Sequence, residues 1–154
     1  MKDVPIGTNL THSPFKRVAA VAPLYGDLVL LGKRITHCPL DGREIGYGGY
    51  WSPFGGTVEE GESSIEAARR ELEEETLIKT EISFITYVGE IALEEGEYIL
   101  YAHELSELFM PTLNFEHTEY GYFRIDSLQV APSPVCPEVA AALQDFNVHR
   151  RHAW

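Results

Sequence analysis

The sequence predicts a single α/β domain, and three observations carry that expectation. Two apolar, β-branched runs, Val18 to Leu24 and Leu28 to Ile35, flank Tyr25-Gly26-Asp27 in the manner of a hairpin. Apolar residues recur at helical spacing at Ile65, Ala68 and Leu72, just after Ser63 and Glu66 in capping-box spacing. A second helical stripe, Val139, Ala142, Leu143 and Phe146, follows a proline-rich break. At 154 residues the chain suits one domain over 1–154 and is long enough to bury a proper core.

Charge narrows the class of partner. With 24 acidic against 12 basic residues the net charge is -12, and no basic stripe offsets it, so a nucleic-acid backbone would be repelled. A small phosphorylated ligand would meet the same repulsion unless a metal ion inverted the local field. The most apolar run, Val18 to Leu31, is interrupted by Pro23, Gly26 and Asp27, so neither a signal peptide nor a membrane span is expected. Cys38 and Cys136 show no C-x-x-C spacing, which argues against structural zinc and for a reducing compartment; a cytoplasmic location is the default expectation.

In chain order, residues 1–14 are polar and irregular and read as an arm. Lys33 and Arg34 close the second strand, either as a solvated strand end or as phosphate contacts. Thr36 to Gly49, rich in Gly with Pro39 and Asp41-Gly42, reads as a long loop of the kind that is often functional. His37-Cys38 lacks a partner pair at ligand spacing. Tyr47, Tyr50, Trp51 and Phe54 cluster at the loop's exit; Trp51 is either core or a platform on which a base stacks. Trp51 to Phe54 reads as a short strand running into Gly55-Gly56.

Beyond the first helix, Glu81 to Ala92 and Glu97 to Leu105 alternate as strands around a Glu94-Glu95-Gly96 turn. Phe109 to Phe115 reads as a loop and Tyr120 to Asp126 as a strand. Glu116 and Glu119, at that strand's mouth, are either solvated surface or a second acidic cluster facing the helix. Prolines between Ala131 and Pro137 precede a last helix over 137–149. No role is assigned to the basic ending Arg150-Arg151-His152-Ala153-Trp154.

The first helix breaks local rules. Glu71, Glu74 and Glu75 stand at i, i+3 and i+4, where like charges repel, and near the helix C-terminus, where the dipole prefers cations. The apolar stripe implies that these carboxylates point away from the core, towards a cleft or solvent. A solvated acidic face is the ordinary explanation, but the glycine turn, the cap and the adjacent Arg70-Glu71 favour a site. The missing ingredient is a cation, and an all-oxygen donor set selects a hard one such as Mg²⁺ or Mn²⁺.

The stretch Gly56 to Ile78 resembles the Nudix box, GX5EX7REUXEEXGU, where U is a bulky aliphatic residue. Gly56, Glu62, Arg70-Glu71, Leu72, Glu74-Glu75 and Ile78 occupy their places, and Leu77 replaces the second glycine. That glycine gives a helix a permissive exit, so Leu77 implies a different exit or a cost of about 1 kcal/mol. Leu30-Leu31-Gly32-Lys33-Arg34 before the box and Phe54-Gly55-Gly56 at its start also look like this family, although Ser52-Pro53-Phe54 departs from the commoner Phe-Pro order. Glu116-His117 before Tyr120 and Phe123 is similar to the EHxxYxW tail of several nucleotide-cleaving members.

The resemblance implies a Nudix α/β/α sandwich with a mixed sheet between helices. It also implies metal-dependent hydrolysis of the diphosphate bond in a nucleoside diphosphate linked to another group X. On that basis Glu71, Glu74 and Glu75, with the Gly56 carbonyl, are expected to hold Mg²⁺, or Mn²⁺ in its place. Arg70 is expected to orient Glu62 or Glu71. The general base is Glu74 of the box or, from the later loop, Glu116 or Glu119. Lys33, Arg34, Tyr50 and Trp51 are the candidate substrate contacts. Two rival readings are a nucleotide-binding sensor that does not cleave, against which the intact glutamates argue, and an isoprenyl diphosphate isomerase, for which no matching cysteine motif is present. The group X is not named by the sequence, and a homodimer is the expectation from family habit.

Overall fold

The computed structural model describes residues 15–34, 48–93, 96–114, 116–130 and 135–151, and the side chains of all of these but 129, 130 and 151. The arm over 1–14, most of the long loop with His37, Cys38 and Tyr47, Glu94-Glu95, and residues 152–154 lie outside the described residues.

Strand β1 (Lys16–Tyr25) turns at Gly26, with φ 57, into β2 (Leu28–Arg34), as the hairpin signal requires. The expected single strand at Trp51 is two pieces, β3 (Trp51–Ser52) and β4 (Phe54–Thr57), because Pro53 has no N–H to continue a ladder. Helix α1 (Ser64–Thr76) follows. The expectation of a strand from Glu81 is corrected: Ile82–Phe84 forms a 3₁₀ turn, and β5 runs only over Thr86–Leu93. Strand β6 (Gly96–Glu104) lies one residue earlier than expected, with Gly96 in the strand rather than the turn, whereas β7 (His117–Arg124) begins earlier and runs into 3₁₀ turns over Ile125–Val130 that are kinked at Ser127. Helix α2 (Pro137–Arg151) opens on Pro137, a residue suited to a first helical position.

The seven strands form one mixed sheet with α1 and α2 on opposite faces. Strand β1 is its axis. One edge pairs in parallel with β6 from Lys16–Gly96 to Leu24–Glu104. Its other edge is divided, Val18 to Val21 pairing with β4 and Leu24-Tyr25 with β2. Strand β2 then carries β3 and β7. Alternation along β1 builds both cores: Ala19 and Val21 meet Ala67, Ala68 and Leu72 of α1, while Ala20 and Ala22 meet Val139 and Leu143 of α2. Ala19 to Ala22 can all be small or β-branched and fully buried because both faces are covered. Gly55 lets β4 lie close on β1, since a Cβ there would stand 2.3 Å from the Ala19 carbonyl oxygen.

Candidate functional site

Helix α1 starts as the capping box predicts. Ser63 Oγ accepts from the Glu66 amide, and Glu66 Oε1 accepts from the Ser63 amide. Its apolar stripe includes Ala67 with Ala68 and Leu72, while Ile65 is only half-buried. At the other end Thr76 Oγ1 donates to the Leu72 carbonyl and accepts from the Ile78 amide. Leu77 adopts the left-handed φ of 66, its amide donating to the Glu73 carbonyl. The exit is therefore the one a glycine would make, taken by a side chain that pays steric strain for it. Exposure of the Leu77 side chain lets it point outward without a further clash.

The glutamates diverge in environment. Arg70 gathers three of them: Nε and Nη2 lie 2.7 and 3.0 Å from the two oxygens of Glu62, and Nη1 is 2.9 Å from Glu71 and 3.3 Å from Glu74. The guanidinium holds the Glu62 carboxyl down at about 2, and these hydrogen bonds raise the Arg70 pKa further. Arg70 thus hydrogen-bonds both Glu62 and Glu71, the two carboxylates expected as its partners.

The Glu71 carboxylate packs onto Gly56, where a Cβ would stand 2.5 Å from it. That contact, rather than a turn, explains glycine at this position. Glu74 is the exposed member, its side chain 54% accessible.

Glu75 corrects the expectation that all three carboxylates face away from the core. It is 1% exposed, and no described residue donates a hydrogen bond to either of its oxygens, although the Glu71 carboxylate lies within reach to share a proton with it. Burial first, and then the neighbouring Glu71, raise its pKa well above the usual range. Facing it is His117, also buried, with Nε2 at 3.9 Å from Glu75 Oε1 and both ring nitrogens unpartnered among the described residues. Sequence reasoning placed His117 in a motif but gave it no role.

Glu116 is half-buried, and burial raises its carboxyl pKa. Glu71 and Glu74 raise it further against the opposing charge of Arg34. Glu119 points elsewhere: it is exposed and lies 3.9 Å from Lys33 Nζ. Among the described residues no hydrogen bond or ion pair joins Lys33 or Glu119 to the helix carboxylates.

A cavity of 340 Å³ opens where the two arms of the sheet part, reaching from Gly55, Gly56 and Thr57 to the start of α2. Arg34, Tyr50 and Trp51 line it, and Lys33 does not. Lys16 of β1, which carried no signal in the sequence beyond its charge, supplies a second cation to its lining. Trp51 proves to be core, 5% exposed and edge-on to Phe123 at 4.8 Å, while closing one wall of this cavity.

Among the described residues, no three His, Cys, Asp or Glu side chains already form a cation cage. The donor set nevertheless fits a hard divalent ion. It consists of oxygens, one carboxylate is seated on Gly56, and the buried oxygens of Glu75 accept no hydrogen bond from a described residue.

The family profile of the NUDIX domain matches residues 15–146. The chain belongs to the NUDIX family. Solved structures with this fold include a MutT protein from Methanosarcina mazei Go1, with 19% identity and a TM-score of 0.68 over 91% of this chain and 98% of that one. A MutT NUDIX hydrolase from Burkholderia pseudomallei shares 23% identity with a TM-score of 0.66 over 86% and 98%. A C. elegans Ap4A hydrolase in a binary complex shares 20% with a TM-score of 0.62 over 87% and 98%. No curated protein sequence matches the chain. The NUDIX family assignment and the sandwich expected from the box therefore hold, with helices on both faces of a mixed sheet. Among the described residues no helix is long and apolar enough to cross a membrane.

Proposed function

We propose that this NUDIX protein hydrolyses the diphosphate bond of a nucleoside diphosphate linked to a second group, in a reaction that depends on Mg²⁺ or Mn²⁺. The observation that carries this reading is Glu75, whose buried carboxylate oxygens accept no hydrogen bond from a described residue and adjoin the Arg70-organised glutamates. Glu71, Glu74, Glu75 and the Gly56 carbonyl would hold the ion. When bound, such an ion neutralises phosphate charge and lowers the pKa of a coordinated water.

The remaining roles belong to the chain. Arg70 fixes the Glu71 carboxylate and ties it to Glu62, so that little reorganisation is needed when a ligand arrives. Glu116 is favoured over Glu119 as the later-loop base. Its partly buried carboxyl has a raised pKa and feels Glu71 and Glu74, whereas Glu119 faces Lys33. Glu74 remains the base candidate within the box. Arg34 and Lys16 offer positive charge in the cavity to a phosphorylated substrate that an overall charge of -12 would otherwise repel. Tyr50 and the wall formed by Trp51 receive its organic part.

The test is a hydrolysis screen with Mg²⁺ or Mn²⁺ over nucleoside triphosphates, nucleotide sugars, ADP-ribose and dinucleoside polyphosphates of the Ap4A type, with products identified by mass. A metal-dependent release of a nucleoside monophosphate is expected. No turnover with either metal, together with tight binding of one nucleotide, would overturn the hydrolase reading in favour of a sensor.

A further inference from the structure

Four polar atoms meet in the interior between α1 and β7: the carboxylate oxygens of Glu75, which have only another carboxyl, Glu71, within reach, and both ring nitrogens of His117, which have no hydrogen-bond partner among the described residues. Leaving a buried polar group unpaired costs about 1–3 kcal/mol. Two such groups facing each other at 3.9 Å therefore call for an explanation.

A cation at the acidic cluster would satisfy Glu75 in part and would do nothing for His117. The imidazole is held as though its direction mattered. Its ring lies 5.2 Å from that of Phe54, and a Cβ at Gly32 would stand 2.7 Å from His117 Cδ2 and from Phe54 Cε1. Cδ2 is bonded to Nε2, so the seat at Gly32 controls the edge of the ring that faces Glu75.

We propose that His117 is a positioning residue for Glu75: a small closure of the 3.9 Å separation lets its neutral imidazole donate Nε2–H to one carboxylate oxygen and leaves the other for the acidic cluster. The inference rests on reading Glu75 as a cation ligand. A carboxylate with one oxygen held in this way has a fixed direction, whereas a free one rotates about its last torsion and presents either oxygen. Nδ1 is then the unprotonated nitrogen.

Mn²⁺ binding measured by electron paramagnetic resonance, without substrate, tests the role apart from turnover. H117F keeps a ring but loses the donor, and it should weaken Mn²⁺ by about tenfold or more. H117Q, whose amide nitrogen can donate, should recover most of that loss. In the wild-type protein the ¹⁵N shifts of the His117 ring should be those of the Nε2-protonated tautomer, a readout that needs no variant to fold. The proposal is overturned if that tautomer is Nδ1-protonated, if folded H117F binds Mn²⁺ as the wild type does, or if H117Q gives no rescue. E75Q separates the two levels of the argument. Unchanged Mn²⁺ affinity in E75Q removes the ligand reading itself. Loss in E75Q without loss in H117F removes only the positioning role.

Discussion

Arg70 and Glu62 face each other in a two-pronged ion pair, with Nε 2.7 Å from Oε2 and Nη2 3.0 Å from Oε1. Two parallel bonds fix the plane of the guanidinium, and that plane aims Nη1 at Glu71 and Glu74. The helix glutamates are therefore organised by an arginine on their own helix that is itself fixed from outside it, by Glu62.

Arg70→Lys should keep the charge and lose the fork. Activity in the hydrolysis screen is expected to fall about 10–100-fold, and stability at neutral pH to fall with the loss of the fork to Glu62. The Glu62 carboxyl, held at about 2 against 4.5, has an acid limb of its own. Its contribution to stability is complete above pH 4.5 and is lost as pH falls through about 2. Acid titration of the Arg70→Lys variant should show that limb moved towards pH 4.5.

The two adjacent glycines should behave differently when replaced by alanine. At Gly56 the atoms nearest the added Cβ are those at the end of the Glu71 side chain, so the fold should survive while Mn²⁺ affinity falls. At Gly55 it meets the Ala19 backbone, and the variant should be strongly destabilised or insoluble. Circular dichroism on both and metal titration of the first would check this; a folded Gly55→Ala of wild-type stability would contradict it.

Glu74→Gln should lower turnover by orders of magnitude and leave the melting temperature unchanged, because the side chain is largely exposed. Leu72→Ala should do the reverse. Leu72 is fully buried, and its truncation should cost about 2–5 kcal/mol in denaturant unfolding.

Leu77→Gly should stabilise the protein by about 1 kcal/mol, since it relieves the left-handed strain at a side chain that is 55% exposed. Urea unfolding of the two proteins side by side measures the difference. A destabilised glycine variant would mean that Leu77 contributes contacts worth more than its strain.

Burial depresses His117 from 6.5 to about 4. The unfolded chain then takes up a proton that the folded one refuses, so this residue should lower stability as pH drops from 6.5 towards 4. The His117→Gln variant should show a flatter stability profile over that interval.

Much of α1 was legible in the sequence because its determinants are local. The cap, the Arg70 partners and the left-handed exit all depend on residues within a few turns of one another. The burial of Glu75 was also readable in principle: Ala68, Leu72 and Glu75 stand at i, i+4 and i+7, so Glu75 continues the apolar stripe as much as the acidic one. Its charge concealed its position. Glu116 and Glu119 could not be told apart from spacing, because their difference depends on what β2 brings alongside β7. The 3₁₀ turn at Ile82 was missed because a short apolar run looks the same in a strand. The parallel pairing of β1 with β6 joins segments far apart in the chain, and no local signal announces it.

That pairing governs the order in which the molecule can be made. The cap, the arginine clasp and the glycine seat are contacts within Gly55 to Thr76, although the segment depends on β1 for the ladder of β4 and for the surface under its helix. That strand emerges early but waits for β6, which ends at Glu104, before its second edge is filled. Until then α1 rests on β1 and β4 without Ile99 and Tyr101 of β6. His117 comes later still in the chain, so the interior of the candidate site can be closed only after the acidic residues it encloses have been made.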